Sequence, residues 1–212
     1  MNLKRLSLVT ALALAVVAYA AVPASADITL GDGGAVYSDC VAGGTAQDCA
    51  IKGVRSGAAP TLVAGTTTIT CQQANTNGVM NGDASGGFAN ATLNFSWSQC
   101  TTNTLVGCSV NTITGVPVNI DETNHPSATI INTATAGTTI TCAGVFVCNA
   151  SSDPSTHPVT AEIDQGSQVA TIADTVAVTG SIGCPASGTG TWNAQYLITD
   201  ASNNDLDLWA TG

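Results

Sequence analysis

The chain contains two histidines, and both sit in the same short frame: Asp121 precedes His125-Pro126 at the spacing at which Asp153 precedes His157-Pro158. Imidazole and carboxylate groups are ordinary ligands of divalent transition metals. If the two loops meet at one rim, Asp121, His125, Asp153 and His157, with Glu122 beside them, form the ligand set of a metal-assisted hydrolase. A plainer account competes with this one. Asp, Asn, Ser and Pro favour turns through local backbone bonding, and the residue before a proline is held extended, as at a strand entrance. No partner that would orient either imidazole can be read from the sequence, so a divalent metal is the one cofactor the residues allow, and none is required.

The eight cysteines, Cys40, Cys49, Cys71, Cys100, Cys108, Cys142, Cys148 and Cys184, are the other reactive set. Zinc sites favour pairs with two to four residues between them, whereas the tightest spacing here, Cys142 to Cys148, has five. A redox C-x-x-C is absent, which leaves disulfides. Eight cysteines allow 105 pairings, and spacing gives only leanings. Cys40 and Cys49 bracket a Gly-rich segment, and Cys100 and Cys108 bracket a turn expected around Thr101-Thr102-Asn103. If Val145-Phe146-Val147 is strand, Cys142 and Cys148 lie ~20 Å apart at ~3.3 Å per residue, beyond the ~7 Å limit of a disulfide. They then need other partners, with Cys71 and Cys184 available.

Nucleophilic catalysis finds no support in the motifs. Gly180-Ser181-Ile182-Gly183 does not match the G-x-S-x-G elbow of a serine hydrolase. Glu162, Asp164 and Asp174 are formal candidates for paired-carboxylate chemistry, but a solvated strand face is the expected home of all three. The catalytic set is therefore read as none.

Residues 1–26 have the three parts of a secretory signal: Lys4 and Arg5, an apolar run from Leu6 to Ala21, and Ala24-Ser25-Ala26 at the expected cleavage site. The run is shorter than the ~20 residues that span a bilayer, so the mature chain is expected to be extracellular or at the cell surface, without a transmembrane segment. That compartment suits disulfides. Loss of Lys4 and Arg5 takes the net charge from −10 to −12 and leaves Lys52 and Arg55 as the only basic residues. Phosphate recognition needs Lys and Arg clusters, so nucleic acid is excluded as a partner.

The elements that must position these groups read as strands. After residue 26 the chain has 30 Thr, 15 Val and 12 Ile against 7 Leu, and β-branched side chains suit a pleated surface better than a helix. Period-two alternation marks Ala91-Leu93-Phe95-Trp97, Val116-Val118-Ile120, Val159-Ala161-Ile163 and Trp192-Ala194-Tyr196-Ile198 as one-sided apolar strands. Turns are expected at Asn77-Gly78, Asn81-Gly82-Asp83, Gly86-Gly87, Gly137, Ser151-Ser152-Asp153-Pro154, Gly180 and Gly188-Thr189-Gly190. The pattern predicts an all-β, disulfide-braced sandwich or barrel with almost no helix, over 61–212, preceded by a Gly/Asp-rich extension or edge hairpin at 27–60. Scarce aromatics argue against an outer-membrane barrel, which needs aromatic girdles. Gly65-Thr66-Thr67-Thr68-Ile69-Thr70-Cys71 resembles Gly137-Thr138-Thr139-Ile140-Thr141-Cys142, an echo too short to establish duplication.

Thr68-Ile69-Thr70-Cys71, Trp97-Ser98-Gln99-Cys100, Thr139-Ile140-Thr141-Cys142 and the run from Cys184-Pro185 into Gly190-Thr191-Trp192-Asn193-Ala194-Gln195-Tyr196 carry a resemblance over residues 60–200. The chain resembles a group of uncharacterised small secreted Thr-rich, cysteine-containing β proteins of high-GC Gram-positive bacteria. Cys40, Cys49, Cys108 and Cys148 depart from that pattern as additions. The resemblance implies export and an all-β fold, with no activity. The expected function is a non-catalytic structural or binding protein whose partner is a cell-wall or other extracellular polymer, or another secreted protein. Two alternatives remain: the metal-assisted hydrolase at His125 and His157, and an inhibitor-type binder presenting a braced loop such as 40–49.

Overall fold

The β-branched, alternating segments pair edge to edge until no edge is left. The computed structural model describes residues 27–32, 35–36, 41–42, 45–46, 48–82, 88–105, 107–121, 127–164, 167–181, 183–201 and 207–211. All regular elements among them are strands. β1 (Asp27–Asp32), β2 (Ala35–Val36), β3 (Val41–Ala42) and β4 (Thr45–Ala46) come first. Eight staves then follow in chain order. The first is β5 (Cys49–Arg55), resumed as β6 (Thr61–Ala64). The second and third are the long strands β7 (Thr67–Gly82) and β8 (Phe88–Thr102). The fourth is β9 (Cys108–Val110) with β10 (Ile113–Asp121), and the fifth is β11 (Ser127–Asn132) with β12 (Ala136–Cys142). The sixth is β13 (Phe146–Ser152) with β14 (Thr160–Asp164), the seventh β15 (Val169–Gly180) and the eighth β16 (Gly188–Asp200). β17 (Asp207–Thr211) pairs with β1 in a separate small sheet.

Each stave is antiparallel to the next, and β16 returns to pair with both β5 and β6, which closes an eight-stave up-and-down barrel. Closure removes the edges that would template aggregation. Of the two architectures the sequence left open, the barrel is the one formed. It begins at Cys49, because β5 is paired on both sides, with β7 and β16. The boundary expected near residue 61 therefore moves upstream. No helix occurs among the described residues.

The alternating segments face as read. Ala91, Leu93, Val116, Val118, Ile120, Ile163, Ala194, Tyr196 and Ile198 are buried in one cluster, with Phe95, Trp97, Val159, Ala161 and Trp192 packed against it. A second cluster around Leu62, Ile69, Ile140, Phe146, Val176 and Val178 fills the other end. The outward faces carry exposed Gln73, Asn75 and Asn77 on β7, Thr92 and Ser98 on β8, Thr171 and Thr175 on β15, and Thr191 and Asn193 on β16. A lipid-facing barrel needs the opposite arrangement, with an apolar band outside.

Several expected turns lie inside strands instead. Gly78 pairs with Leu93, Gly137 with Ser151, and Gly190 with Val176 and Ala64. The reason is close backbone approach rather than reversal: a Cβ on Gly190 would stand 2.8 Å from the Val63 carbonyl oxygen, and one on Gly137 would stand 3.2 Å from the Ala150 carbonyl oxygen. Gly180 does end its strand, as expected. Ser151 and Ser152 finish β13, and the turn starts at Asp153.

One phase change matters for the cysteines. Alternation predicts that Gln99 follows Trp97 into the interior, but Gln99 adopts a φ of 54° and is exposed, so that Cys100 turns inward. β7 makes the same shift beside it, with Gln72 and Gln73 both exposed between buried Cys71 and Ala74. Cys71, Cys100, Cys108 and Cys142 consequently form a row of directly opposed residues on four neighbouring staves. The bonds formed are Cys71–Cys100, Cys108–Cys142 and Cys148–Cys184. The leaning toward Cys100 with Cys108 is corrected: that bond would strand Cys71 and Cys142 three staves apart, one on either side of it. Cys148 does take Cys184, and Cys142 takes Cys108 rather than Cys71. Residues 143–145 form a turn, so Cys142 and Cys148 stand on different strands of a hairpin rather than on one. Cys49 is also disulfide-bonded, and Cys40 lies outside the described residues.

The Thr-rich echo is not a structural repeat. Cys71 follows its turn on a stave running away from the cystine end, whereas Cys142 approaches its turn on one running toward it.

Candidate functional site

The lumen narrows to an aromatic waist. Phe95 and Trp97, two apart on β8, point inward and stack with centroids 6.0 Å apart, while Trp192 and Tyr196 approach from β16 across the barrel. Trp192 meets Phe95 at 6.1 Å and Trp97 at 5.9 Å, and Tyr196 meets Phe95 at 6.1 Å, all edge to face. Such contacts add about 0.5–1.5 kcal/mol each beyond area burial.

Two cavities of about 80 Å³ flank this waist. One is lined by Leu62, Ile69, Trp97, Val110, Ile140 and Val176 among others, and the other by Leu93, Phe95, Val118, Ile163, Ile172 and Tyr196 among others. Ile113, Ala136, Ser152 and Trp192 line both. Small residues take inward positions around the voids: Ala91 stands opposite Val118, Ala161 opposite Ile130 and Ile172, Ala170 opposite Ile163, and Ala136 opposite Ser152. Interiors rarely keep voids larger than a water molecule. At ~24 cal/mol per Å³, each empty cavity costs on the order of 2 kcal/mol.

The waist is also where four staves break, at 56–60, 111–112, 133–135 and 153–159, and the first cavity is bordered by the flanking Pro60, Val110, Ile113, Ala136 and Ser152. Polar side chains stitch these breaks. Asn132, 4 % exposed, donates from Nδ2 to the Ala134 carbonyl (3.0 Å) and to Ser152 Oγ (3.3 Å), and its Oδ1 accepts from the Val159 N–H at 2.7 Å. Asp174 accepts from the Thr160 N–H at 2.5 Å and from its hydroxyl at 2.9 Å, which fastens the start of β14 to β15.

Tyr196 is the anomaly. It is 1 % exposed, and its hydroxyl has no hydrogen-bond partner. Burial pushes its phenol far above the usual range. The adjacent Trp97 indole offsets this only in part, and no group meets the oxygen with hydrogen-bond geometry. An unmade bond at a buried hydroxyl costs about 1–3 kcal/mol.

The residues singled out for metal chemistry are placed otherwise. Asp121 ends β10 beside Thr129, whereas Asp153 and His157 form a small turn at the waist on the sixth stave. Asp153 meets stave five at Thr135, six residues from Thr129, so Asp121 and Asp153 stand roughly 20 Å apart along the strand direction. His125 and Glu122 lie outside the described residues. Among the described residues no three His, Cys, Asp or Glu side chains gather as a metal site.

The Asp153 carboxylate is occupied by its own turn. It accepts from Ser155 Oγ (2.5 Å), from the N–H groups of Ser155 (2.9 Å) and Thr156 (3.2 Å), and from Thr135 Oγ1 (3.1 Å). These bonds, led by the Ser155 hydroxyl, hold its pKa at about 2 instead of 3.8. A depressed carboxylate stabilises the fold fully above its unfolded pKa, and the contribution falls away as pH drops toward the folded value. The turn is therefore expected to hold above pH 3.8 and to loosen between there and pH 2. A carboxyl carbon titration by NMR with a midpoint near 4 would contradict this.

Of the three carboxylates considered for acid–base work, Glu162 and Asp164 are exposed, as expected. Asp174 is not on a solvated face but in the waist, holding Thr160. The lumen itself was missed by sequence reasoning. Its one available signal was alanine at inward positions of otherwise β-branched strands. No protein-family model, curated protein or solved structure matches this chain.

Proposed function

We propose that this chain is an exported, non-catalytic binding protein that holds a small apolar molecule in the lumen of its barrel. The observation that carries this reading is the pair of adjoining apolar cavities at the aromatic waist. Eight-stave barrels are wide enough either to be filled by side chains or to hold one small ligand, and here alanine replaces the filling side chains. The cystines fit an oxidising compartment and a leader cleaved after Ala26. Toluene titrated into the disulfide-intact protein is expected to shift the methyl resonances of Ile113, Ile140 and Ile172 saturably, at one molecule per chain. Ala136→Leu, which fills the wall common to both cavities, is expected to abolish those shifts while the remaining spectrum stays dispersed. Wild-type shifts that stay linear up to the solubility limit count against the reading.

A second reading keeps an extracellular polymer as the partner. The β7–β8 exterior presents Gln73 opposite Ser98, Asn75 opposite Ser96 and Asn77 opposite Asn94. This uncharged amide and hydroxyl ladder is suited to hydrogen bonding with polysaccharide. Co-sedimentation with insoluble wall polymer, lost when Asn75 and Asn77 are changed to Glu, supports this reading; no co-sedimentation of the wild type removes it.

A further inference from the structure

We infer that the lumen ligand is a single aromatic or similarly sized apolar ring bearing one hydrogen-bonding group, and that this group is read by the Tyr196 hydroxyl. The inference rests on the lumen-binding reading and adds the ligand's polarity to it.

Size comes from the cavities. Each void of about 80 Å³ is about half the ~150 Å³ apolar void that accepts one benzene-sized molecule, and the two border the same Ile113, Ala136 and Trp192, so one ring is seated where that common wall gives way. Shape comes from the waist, where the edge-to-face rings of Phe95, Trp97 and Trp192 offer faces and edges for a further ring. Polarity comes from a mismatch. Inside a largely apolar lumen, Tyr196 keeps a buried hydroxyl that the Trp97 indole approaches without hydrogen-bond geometry. A buried polar group without a partner calls for an explanation, and a ligand atom supplies one. Tyr196 lines one cavity and lies against Trp97, which lines the other, so both cavities border this pair of rings. The oxygen has no open surface. A ligand therefore reaches it only by turning a waist ring aside, and tryptophan fluorescence will register that movement.

The test compares phenol with toluene, which differ little in size, on the full disulfide-bonded protein. Wild type is expected to bind phenol at least 10-fold more tightly than toluene, with a change in the Trp emission. Tyr196→Phe is expected to bring phenol down to the toluene affinity or below it and leave toluene within a factor of about two. This is the pattern of a site whose hydrogen-bonding group has been removed. Equal wild-type affinities for the two probes overturn the inference and leave the lumen reading standing. Saturable binding of neither probe overturns both. If the Tyr196→Phe protein fails to fold, anisole against ethylbenzene on wild type makes the same comparison, and the absence of any preference for the ether overturns the inference.

Discussion

Replacing Tyr196 by phenylalanine is expected to stabilise the ligand-free protein, raising its unfolding free energy by about 1–3 kcal/mol, the cost of a buried hydroxyl left unbonded. In most proteins the same change is destabilising, because a buried tyrosine hydroxyl usually has a partner and its removal leaves that partner unsatisfied. Here the oxygen has none, and the ring contact with Phe95 does not involve it. The unfolded chain solvates the hydroxyl fully, so deleting it removes a penalty from the folded state alone. Urea unfolding of the two proteins with disulfides intact checks this. A lower midpoint for Tyr196→Phe at unchanged slope contradicts it, and would mean that the Trp97 indole bonds the oxygen after all.

The second large effect concerns the cystine row. Cys71→Ala removes one bridge and is expected to cost about 2–5 kcal/mol, but it should also change which bridge is made next to it. Cys100 stands directly opposite both Cys71 and Cys108, and Cys108 directly opposite Cys142. With Cys71 gone, Cys100 competes for Cys108, and a share of molecules should carry Cys100–Cys108 with a free thiol at Cys142. The double variant Cys71→Ala/Cys100→Ala should keep Cys108–Cys142 intact and outlast the single variant during oxidative refolding. Peptide mapping under non-reducing conditions distinguishes the two. Recovery of only Cys108–Cys142 with a free Cys100 from the single variant contradicts the row as described.

These cases show what the sequence could and could not convey. Alternation at 91–97, 116–120 and 192–198 identified inward residues correctly, because a two-residue period is a direct consequence of the pleat. It could not reveal closure, since pairing between β16 and β5 joins segments more than a hundred residues apart and leaves no local trace. It also failed at Gln99, where one residue of positive φ moves Cys100 into the lumen. Spacing suggested Cys100 with Cys108, and the two are indeed neighbours. Only the whole row shows why they do not bond. Glycines that read as turns proved to be places where backbone passes close to backbone. The Asp-x-x-x-His-Pro echo allowed either a shared rim or two turns, and Asp153 sits at the waist, where its carboxylate builds a turn. The lumen was hardest to anticipate. Alternation tells which side chains point inward but not whether they fill the space between them, and that depended on alanines such as Ala136 lying beside Trp192 across the barrel.

The account depends on space at the centre of the barrel, and a crystal of the disulfide-bonded protein pressurised with xenon examines that space directly. Xenon is expected to occupy the waist, among Ile113, Ala136 and Trp192, where the two cavities meet. A lumen closed by side chains, with no xenon at any pressure the crystal survives, would contradict it.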